Sequence, residues 1–178
     1  MAGKSAMKHI VVDTGYLLHL FDVDGRSDIQ GRDRVRALFV AEAREGSIFY
    51  VSVPVVFELC NFIAQVRDGA SRRRLASQIK SAIEGSLSIA APWTIAPFEG
   101  DDSMRDWVDV LSAALSEFDE EFVHQEIGLT DIAVLRCANK LKDLMTNRPH
   151  PQPHVHIWTL DRQLKAREPD AEVDAFLG

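Results

Sequence analysis

Cysteine is scarce in this chain, which has only Cys60 and Cys137 among its 178 residues. So few thiols exclude the dense disulfide framework that small secreted domains use to compensate for a small core. Both cysteines lie in apolar segments with helical spacing. We therefore expect two small, buried and unpaired side chains in a reducing compartment.

Long hydrophobic runs are also missing. No apolar stretch approaches the roughly 20 residues that a membrane-spanning helix needs. The first residues, MAGKSAMKHIVVD, pass directly into a strand-like segment and lack the apolar region and cleavage site of a secretory signal. These absences predict a cytoplasmic protein that does not associate with membranes.

Positive charge is in short supply, since 20 Lys and Arg residues face 27 Asp and Glu residues and the formal net charge is −7. Phosphate contacts need cations, so this balance at first argues against a nucleic-acid binder. The objection weakens where several acidic side chains gather around a metal ion. The best candidates for a peripheral RNA contact are the consecutive Arg72, Arg73 and Arg74, and Arg162 is a further candidate for a phosphate contact.

The hydrophobic pattern predicts strands that alternate with helices. Strands are expected over 8–12, 47–53, 93–97 and 155–160, with a short last strand over 172–176. Helices are expected over 14–21, 35–45, 54–66, 70–83, 103–118, 130–145 and 161–167. A loop is expected over 22–34, and Thr130 is expected to be the N-cap of its helix.

This alternation predicts an α/β fold in one domain over residues 1–178. The expected architecture is a three-layer sandwich with a mainly parallel central sheet flanked by helices. The chain length and its 46% hydrophobic content suit one domain with a sizeable core.

Four acidic residues, far apart in the chain, each lie where a predicted strand ends or near the start of a predicted helix: Asp13, Glu58, Asp131 and Asp161. The carboxyl ends of parallel strands converge on one crevice. Carboxylates delivered there from separate elements would repel one another unless a divalent cation neutralised them. The quartet therefore predicts a metal site, and such a site suits phosphodiester hydrolysis.

Each member of the quartet also has a simpler structural interpretation. A single Asp at a strand end commonly caps a helix or a turn, and Asp131 would be favourable in the positive first turn of its helix. Glu58 is the hardest to explain in this way. Its neighbours are mostly apolar, and burying a carboxylate without a partner is costly.

The four segments resemble, in this order, the motifs of the PIN-domain nucleases. VVDTGYLLHL is similar to the opening strand of that family, VSVPVVFELCNFI to the helix that carries its Glu, GLTDIAVLRCANKL to the helix that begins with its Asp, and IWTLDRQL to its strand end with Thr-x-Asp. Two stretches look extended relative to the compact members of that family, one between Glu58 and Asp131 and the other between Asp131 and Asp161.

The resemblance implies an endoribonuclease that depends on Mg²⁺ or Mn²⁺, commonly the toxin of a VapC-type toxin–antitoxin pair. Asp13, Glu58, Asp131 and Asp161 would then form the metal-binding pocket, with Thr14 and Thr159 as supporting hydroxyls. RNA would be the substrate. An antitoxin protein and a second copy of the chain, in a homodimer, would be the protein partners.

The sequence leaves two other functions open. Asp22 and Asp24, in LFDVDG, resemble the nucleophile motif of haloacid-dehalogenase-type phosphatases, in which Asp22 would accept the phosphoryl group. Arg26, however, replaces the usual Thr of that motif, and Asp22 follows a predicted helix rather than a strand. The other alternative is a PIN-like module that binds RNA without cleaving it.

Overall fold

The computed structural model describes residues 7–86, 93–96, 104–146 and 153–172, with the backbone alone for 104–109. Within these ranges the strands are β1 (Lys8–Val12), β2 (Ile48–Ser52), β3 (Trp93–Ala96) and β4 (His154–Trp158). The α-helices are α1 (Thr14–Leu20), α2 (Ile29–Glu45), α3 (Val53–Ala64), α4 (Gly69–Ser86), α5 (Met104–Glu120), α6 (Leu129–Thr146) and α7 (Arg162–Lys165). A short 3-10 helix, Phe122–Gln125, precedes α6.

The four strands form one sheet in the order β3-β2-β1-β4, and all three pairs are parallel. From β1 the chain first builds the sheet towards β2 and β3. It then returns to place β4 on the other side of β1. The strand order therefore reverses between β1 and β4, which is the position where open α/β sheets bind ligands outside the carboxyl ends of their strands.

Helices cover the sheet because its strands are apolar on both sides. Ile10, Val11 and Val12 of β1 are each fully buried. On one face, Phe39 of α2 packs against Phe49 and Trp158, with ring centroids 4.7 and 5.1 Å apart. Helices α3 and α6 contact the sheet and each other. The predicted three-layer α/β sandwich with a parallel sheet is confirmed, while its assignment to a single domain stays a prediction.

The prediction of a loop over 22–34 is wrong for its second half, because α2 begins at Ile29. Its N-cap is Asp28, whose side chain accepts a hydrogen bond from the Gly31 N–H at 2.8 Å. Val35 is the buried residue of this helix, so the apolar pattern starts two turns after the helix does. A Cβ at position 31 would lie 2.5 Å from Cε1 of the buried His19. Gly31 thus lets α1 and α2 approach closely.

Smaller differences concern the ends of elements. Pro54 lies in the first turn of α3, as predicted. Strand β4 ends at Trp158, two residues earlier than expected, so Thr159 and Leu160 connect it to Asp161. Glu172, the start of the last predicted strand, is not in a strand, and the rest of that segment lies outside the described residues.

The expected burial of the cysteines is wrong for Cys60. This side chain is exposed on α3, Cys137 is partly buried, and the two cysteines do not form a disulfide with each other. Phe57 is also on the outer side of α3 and is 67% exposed. Among the helices of the described ranges, none combines the length and the apolar character that crossing a membrane requires.

Candidate active site

Asp13 lies at the carboxyl end of β1 and is the N-cap of α1. Its side chain is 7% exposed. One carboxylate oxygen, Oδ1, accepts a hydrogen bond from the Thr14 backbone N–H at 2.6 Å, and the other, Oδ2, accepts one from the Thr159 hydroxyl at 2.8 Å. Two hydrogen bonds from opposite sides fix the orientation of this carboxylate at the switch point of the sheet.

Glu58 lies in the middle of α3, which starts directly after β2. Its Oε2 accepts a hydrogen bond from the Thr14 hydroxyl at 2.5 Å. Thr14 therefore holds two members of the quartet, since its backbone N–H binds Asp13 and its hydroxyl binds Glu58. Glu58 is partly exposed rather than fully buried, and its neighbours Phe57 and Cys60 on the same helix are exposed.

Asp131 lies in the first turn of α6, and its Oδ2 accepts a hydrogen bond from the Gly128 N–H at 2.8 Å. This backward bond to the residue before the helix resembles one half of a capping box. The predicted N-cap is therefore wrong, because Thr130 lies inside the helix one residue after its start at Leu129.

Asp161 follows β4 after two connecting residues and is the N-cap of α7. Its Oδ1 accepts hydrogen bonds from the backbone N–H groups of Gln163 and Leu164. Its own N–H donates to the Thr159 hydroxyl oxygen at 3.0 Å. Thr159 is fully buried and thus links Asp13 to Asp161 through one hydroxyl group.

The four carboxylates interact electrostatically. The pKa of Asp13 is raised from its ordinary value of 3.8 to about 6, mainly by burial and also by the negative charges of Asp131 and Glu58, while the hydrogen bonds from Thr159 and Thr14 act to lower it. Burial likewise raises the pKa of Asp131, with contributions from the charges of Asp161 and Glu58. The sequence prediction that Asp13, Glu58, Asp131 and Asp161 come together is consistent with this coupling.

Each partly exposed member of the quartet uses only one of its two carboxylate oxygens in hydrogen bonds to the described residues. Within the described residues, no hydrogen bond reaches Glu58 Oε1, Asp131 Oδ1 or Asp161 Oδ2, whereas the second oxygen of each is engaged. Carboxylate oxygens are the donors that Mg²⁺ and Mn²⁺ prefer. The donor chemistry therefore fits a hard divalent cation.

The geometry is not that of a closed metal cage. Across the described ranges, no three His, Cys, Asp or Glu side chains are arranged to hold a metal ion together. A structural zinc site would need about four such ligands. Mg²⁺ usually binds through one or two carboxylates together with waters and substrate phosphates, so it does not require a preformed group of three.

Thr159 offers a test of how the site sets the charge of Asp13. In Thr159→Val the pKa of Asp13 is expected to rise above about 6, because the hydrogen bond that lowers it is lost. The Asp161 N–H also loses its acceptor, which should destabilise the protein by about 1–3 kcal/mol. Carboxyl-selective NMR titration of the metal-free protein measures the pKa. Thr159→Ser, which keeps the hydroxyl, should titrate like the wild type, and an unchanged pKa in Thr159→Val would contradict this role.

The predicted RNA-contacting arginines lie at two places. Arg72, Arg73 and Arg74 are exposed at the start of α4, and the Arg72 guanidinium donates to the Val66 carbonyl just after the end of α3. Glu58 is six residues before Ala64, the last residue of α3, so the end of the helix, next to which Arg72 is bound, lies about 9 Å from Glu58 along the helix axis. Arg162 is the exposed first residue of α7, next to Asp161.

Asp22 and Asp24 do not lie at a strand end. Asp22 is in the turn after α1, where it accepts hydrogen bonds from Ser27 at 3.0 Å and from Arg32 at 3.2 Å. Desolvation acts to raise the pKa of Asp22, but these two hydrogen bonds together with the positive charges of Arg32 and Arg36 outweigh it and lower the pKa. Asp24 is exposed. This placement favours an ordered surface loop over a phosphoryl-accepting site.

One residue of the site had no role in the sequence prediction. A Cβ at Gly128 would lie 3.2 Å from Asp131 Oδ2, so the glycine leaves room for the Asp131 carboxylate as well as binding it. A glycine three residues before an Asp at a helix start is the signal that could have identified this contact.

Comparisons with known proteins do not assign the chain to a family. No protein-family model matches the sequence, and no characterised protein matches it significantly.

Proposed function

We propose that this protein is a metal-dependent endoribonuclease that hydrolyses phosphodiester bonds in RNA. One observation carries the proposal. Four carboxylates from four separate elements interact at the carboxyl ends of β1 and β4, where the strand order reverses, and two of them have raised pKa values. Mutual repulsion among these carboxylates destabilises the metal-free protein. A bound cation would offset this repulsion, which supports a cation-binding role for the site.

In this proposal Asp13, Glu58, Asp131 and Asp161 bind Mg²⁺ or Mn²⁺ directly or through waters. When bound, such an ion lowers the pKa of a water molecule and offsets the negative charge that develops on the phosphoryl oxygens. RNA is the proposed substrate because the four segments resemble the PIN-domain nucleases, and the carboxylates themselves support only the broader class of phosphodiester hydrolysis.

The neighbouring residues of the chain serve to hold the carboxylates in place. Thr14 and Thr159 orient Asp13 through both of its oxygens, and Thr14 also orients Glu58. The N-terminal N–H groups of α7 fix one oxygen of Asp161, which leaves the other for a ligand. Such preorganisation reduces the reorganisation needed when substrate binds.

The toxin role, the antitoxin partner and the homodimer belong to the same proposal and depend on the same resemblance. An antitoxin segment that neutralises the enzyme would cover the quartet and place an Arg or Lys side chain among the carboxylates. Such a cation would offset the charge repulsion in place of the metal ion.

A substrate panel tests the proposed activity. The purified protein is incubated with a single-stranded RNA, the equivalent DNA and a phosphomonoester such as p-nitrophenyl phosphate, with Mg²⁺ or Mn²⁺ and with EDTA. We expect internal cleavage of the RNA that EDTA abolishes. Hydrolysis of the monoester alone would favour a phosphatase. RNA binding without cleavage, under every metal condition, would favour a non-catalytic module.

A further inference from the structure

Arg26, in the turn between α1 and α2, lies against the side of α3. Its guanidinium carbon is 4.6 Å from the centre of the Phe62 ring, and its Nη2 donates to Gln65 Oε1 at 3.3 Å. The side chain is exposed to solvent, while Phe62 is partly buried. The guanidinium plane is thus held over an aromatic ring at the protein surface.

This arginine is on the same side of α3 as Glu58. Glu58, Phe62 and Gln65 follow one another at spacings of four and three residues, which places them along one face of a helix. At 1.5 Å per residue, Phe62 is about 6 Å and Gln65 about 10 Å beyond Glu58 along the helix axis. Arg26 therefore lies within about two helical turns of the quartet.

Helix α1 makes this arrangement. Thr14, at its start, binds Glu58, and the turn that follows α1 brings Arg26 to Phe62 and Gln65. The segment from α1 to Arg26 consequently follows α3 away from the carboxylates. It provides an ordered cation beside a strongly acidic site in a chain whose net charge is −7.

A structural role explains only part of the Arg26 geometry. Among the described residues, its one hydrogen bond engages a single N–H group of the five that a guanidinium carries. The side chain is exposed, so its other donors are accessible to a ligand from solvent. Stacked cations of this kind contact phosphates and nucleobases in single-stranded nucleic-acid sites.

The basic surface continues beyond Arg26. Arg67 is exposed just after the end of α3, and Arg72 is exposed while its guanidinium binds the Val66 carbonyl. Beyond Arg26, in the direction away from Glu58, two further arginines therefore follow the end of α3. A run of cations that leads away from an acidic centre is complementary to the backbone of a bound strand.

We propose that single-stranded RNA leaves the carboxylate site along this face of α3 and that Arg26, stacked on Phe62, contacts the backbone or base of a nucleotide next to the cleaved one. This inference depends on the proposed function for its direction, since the strand is taken to start at the quartet. Arg26 is a positioning residue for substrate and has no part in the hydrolytic step.

The test measures binding of a fluorescein-labelled RNA of about 12 nucleotides, a length that spans a typical single-strand site. Fluorescence anisotropy in EDTA prevents cleavage and is repeated over a range of salt concentrations for the wild type, Arg26→Ala, Arg26→Lys and Arg44→Ala. Arg44 is an exposed arginine near the end of α2, so Arg44→Ala removes the same charge elsewhere on the surface.

We expect Arg26→Ala to weaken RNA binding by about three- to tenfold and to reduce the slope of log K against log salt by about 0.7, the value for one lost contact to a single strand. Arg26→Lys should keep the slope, because it keeps the charge. Arg44→Ala should change neither quantity appreciably.

Two results would overturn the inference: no RNA binding by the wild type, or an Arg26→Ala variant that binds like Arg44→Ala. Its failure is distinct from that of the proposed function. If the wild type cleaves RNA but Arg26→Ala binds RNA as tightly as the wild type does, the proposed nuclease function stands and the proposed path of the RNA along α3 is refuted. If RNA binding depends on Arg26 but no RNA is cleaved with Mg²⁺ or Mn²⁺, the proposed path stands and the proposed nuclease function is refuted.

Discussion

Replacing Asp13 by asparagine is expected to lower the rate of metal-dependent RNA cleavage by about a hundredfold or more, as befits loss of a metal ligand rather than of a supporting contact. Asparagine has nearly the same shape, and its carbonyl oxygen can still accept the Thr14 N–H. The variant should therefore fold normally, and its loss of activity would report the missing charge at the quartet. Cleavage of a labelled RNA at saturating Mg²⁺, compared with the wild type, measures the effect.

Asp24→Asn is the matched control for this experiment. It removes the same charge from an exposed loop position, so we expect it to cleave RNA at the wild-type rate. Asp131→Asn should lose activity as Asp13→Asn does, because both carboxylates belong to the same interacting set. Wild-type cleavage by Asp13→Asn would show that the quartet has been assigned wrongly.

The same substitution is expected to change how the stability of the metal-free protein depends on pH. The pKa of Asp13 is about 6 in the folded protein against 3.8 for an ordinary Asp, so the folded state holds this proton more tightly than the unfolded chain does. The contribution of Asp13 to the free energy of unfolding is therefore greatest at pH values below its pKa in the unfolded chain, and it is lost as the pH rises towards 6. The two pKa values correspond to a loss of about 3 kcal/mol in the free energy of unfolding.

Asparagine does not ionise, so the free energy of unfolding of Asp13→Asn should lack the decrease that ionisation of Asp13 causes between about pH 4 and pH 6. Urea unfolding in EDTA at a series of pH values should show the difference between variant and wild type growing in favour of the variant from about pH 4 to pH 6 and then staying constant. Loss of the Thr159 hydrogen bond adds a constant offset of about 1 kcal/mol in the opposite direction. Asp24→Asn is again the control, and a pH-independent difference for Asp13→Asn would contradict the raised pKa.

The sheet could be predicted from sequence because its strands carry a local signal. Runs such as HIVV and VHIW are short, apolar and rich in β-branched or aromatic residues, and the structure places strands there. The start of α2 could not be found in the same way. Its first turns are polar, and its boundary depends on the Asp28 cap and on the close packing of Gly31 against His19, which is a tertiary contact.

In the candidate site, too, some features could be predicted from the sequence and others depend on tertiary packing. The four acidic positions could be selected because strand ends and helix starts converge in a parallel α/β fold. The environment of Glu58 could not be predicted in this way. An apolar sequence around it suggested deep burial, but α3 leaves Phe57 and Cys60 exposed and Glu58 only partly covered. Whether an apolar side chain on a helix is buried depends on which other elements pack there, and periodicity along one helix does not contain that information.

Calorimetric titration of Mn²⁺ into the protein, after removal of metal with EDTA and at neutral pH, tests the central claim most directly. We expect saturable binding to the wild type and to Asp24→Asn, with an affinity at least about tenfold weaker in Asp13→Asn and in Asp131→Asn. No binding to the wild type, or equal binding to the wild type and Asp13→Asn, would contradict the assignment of the quartet as a metal site.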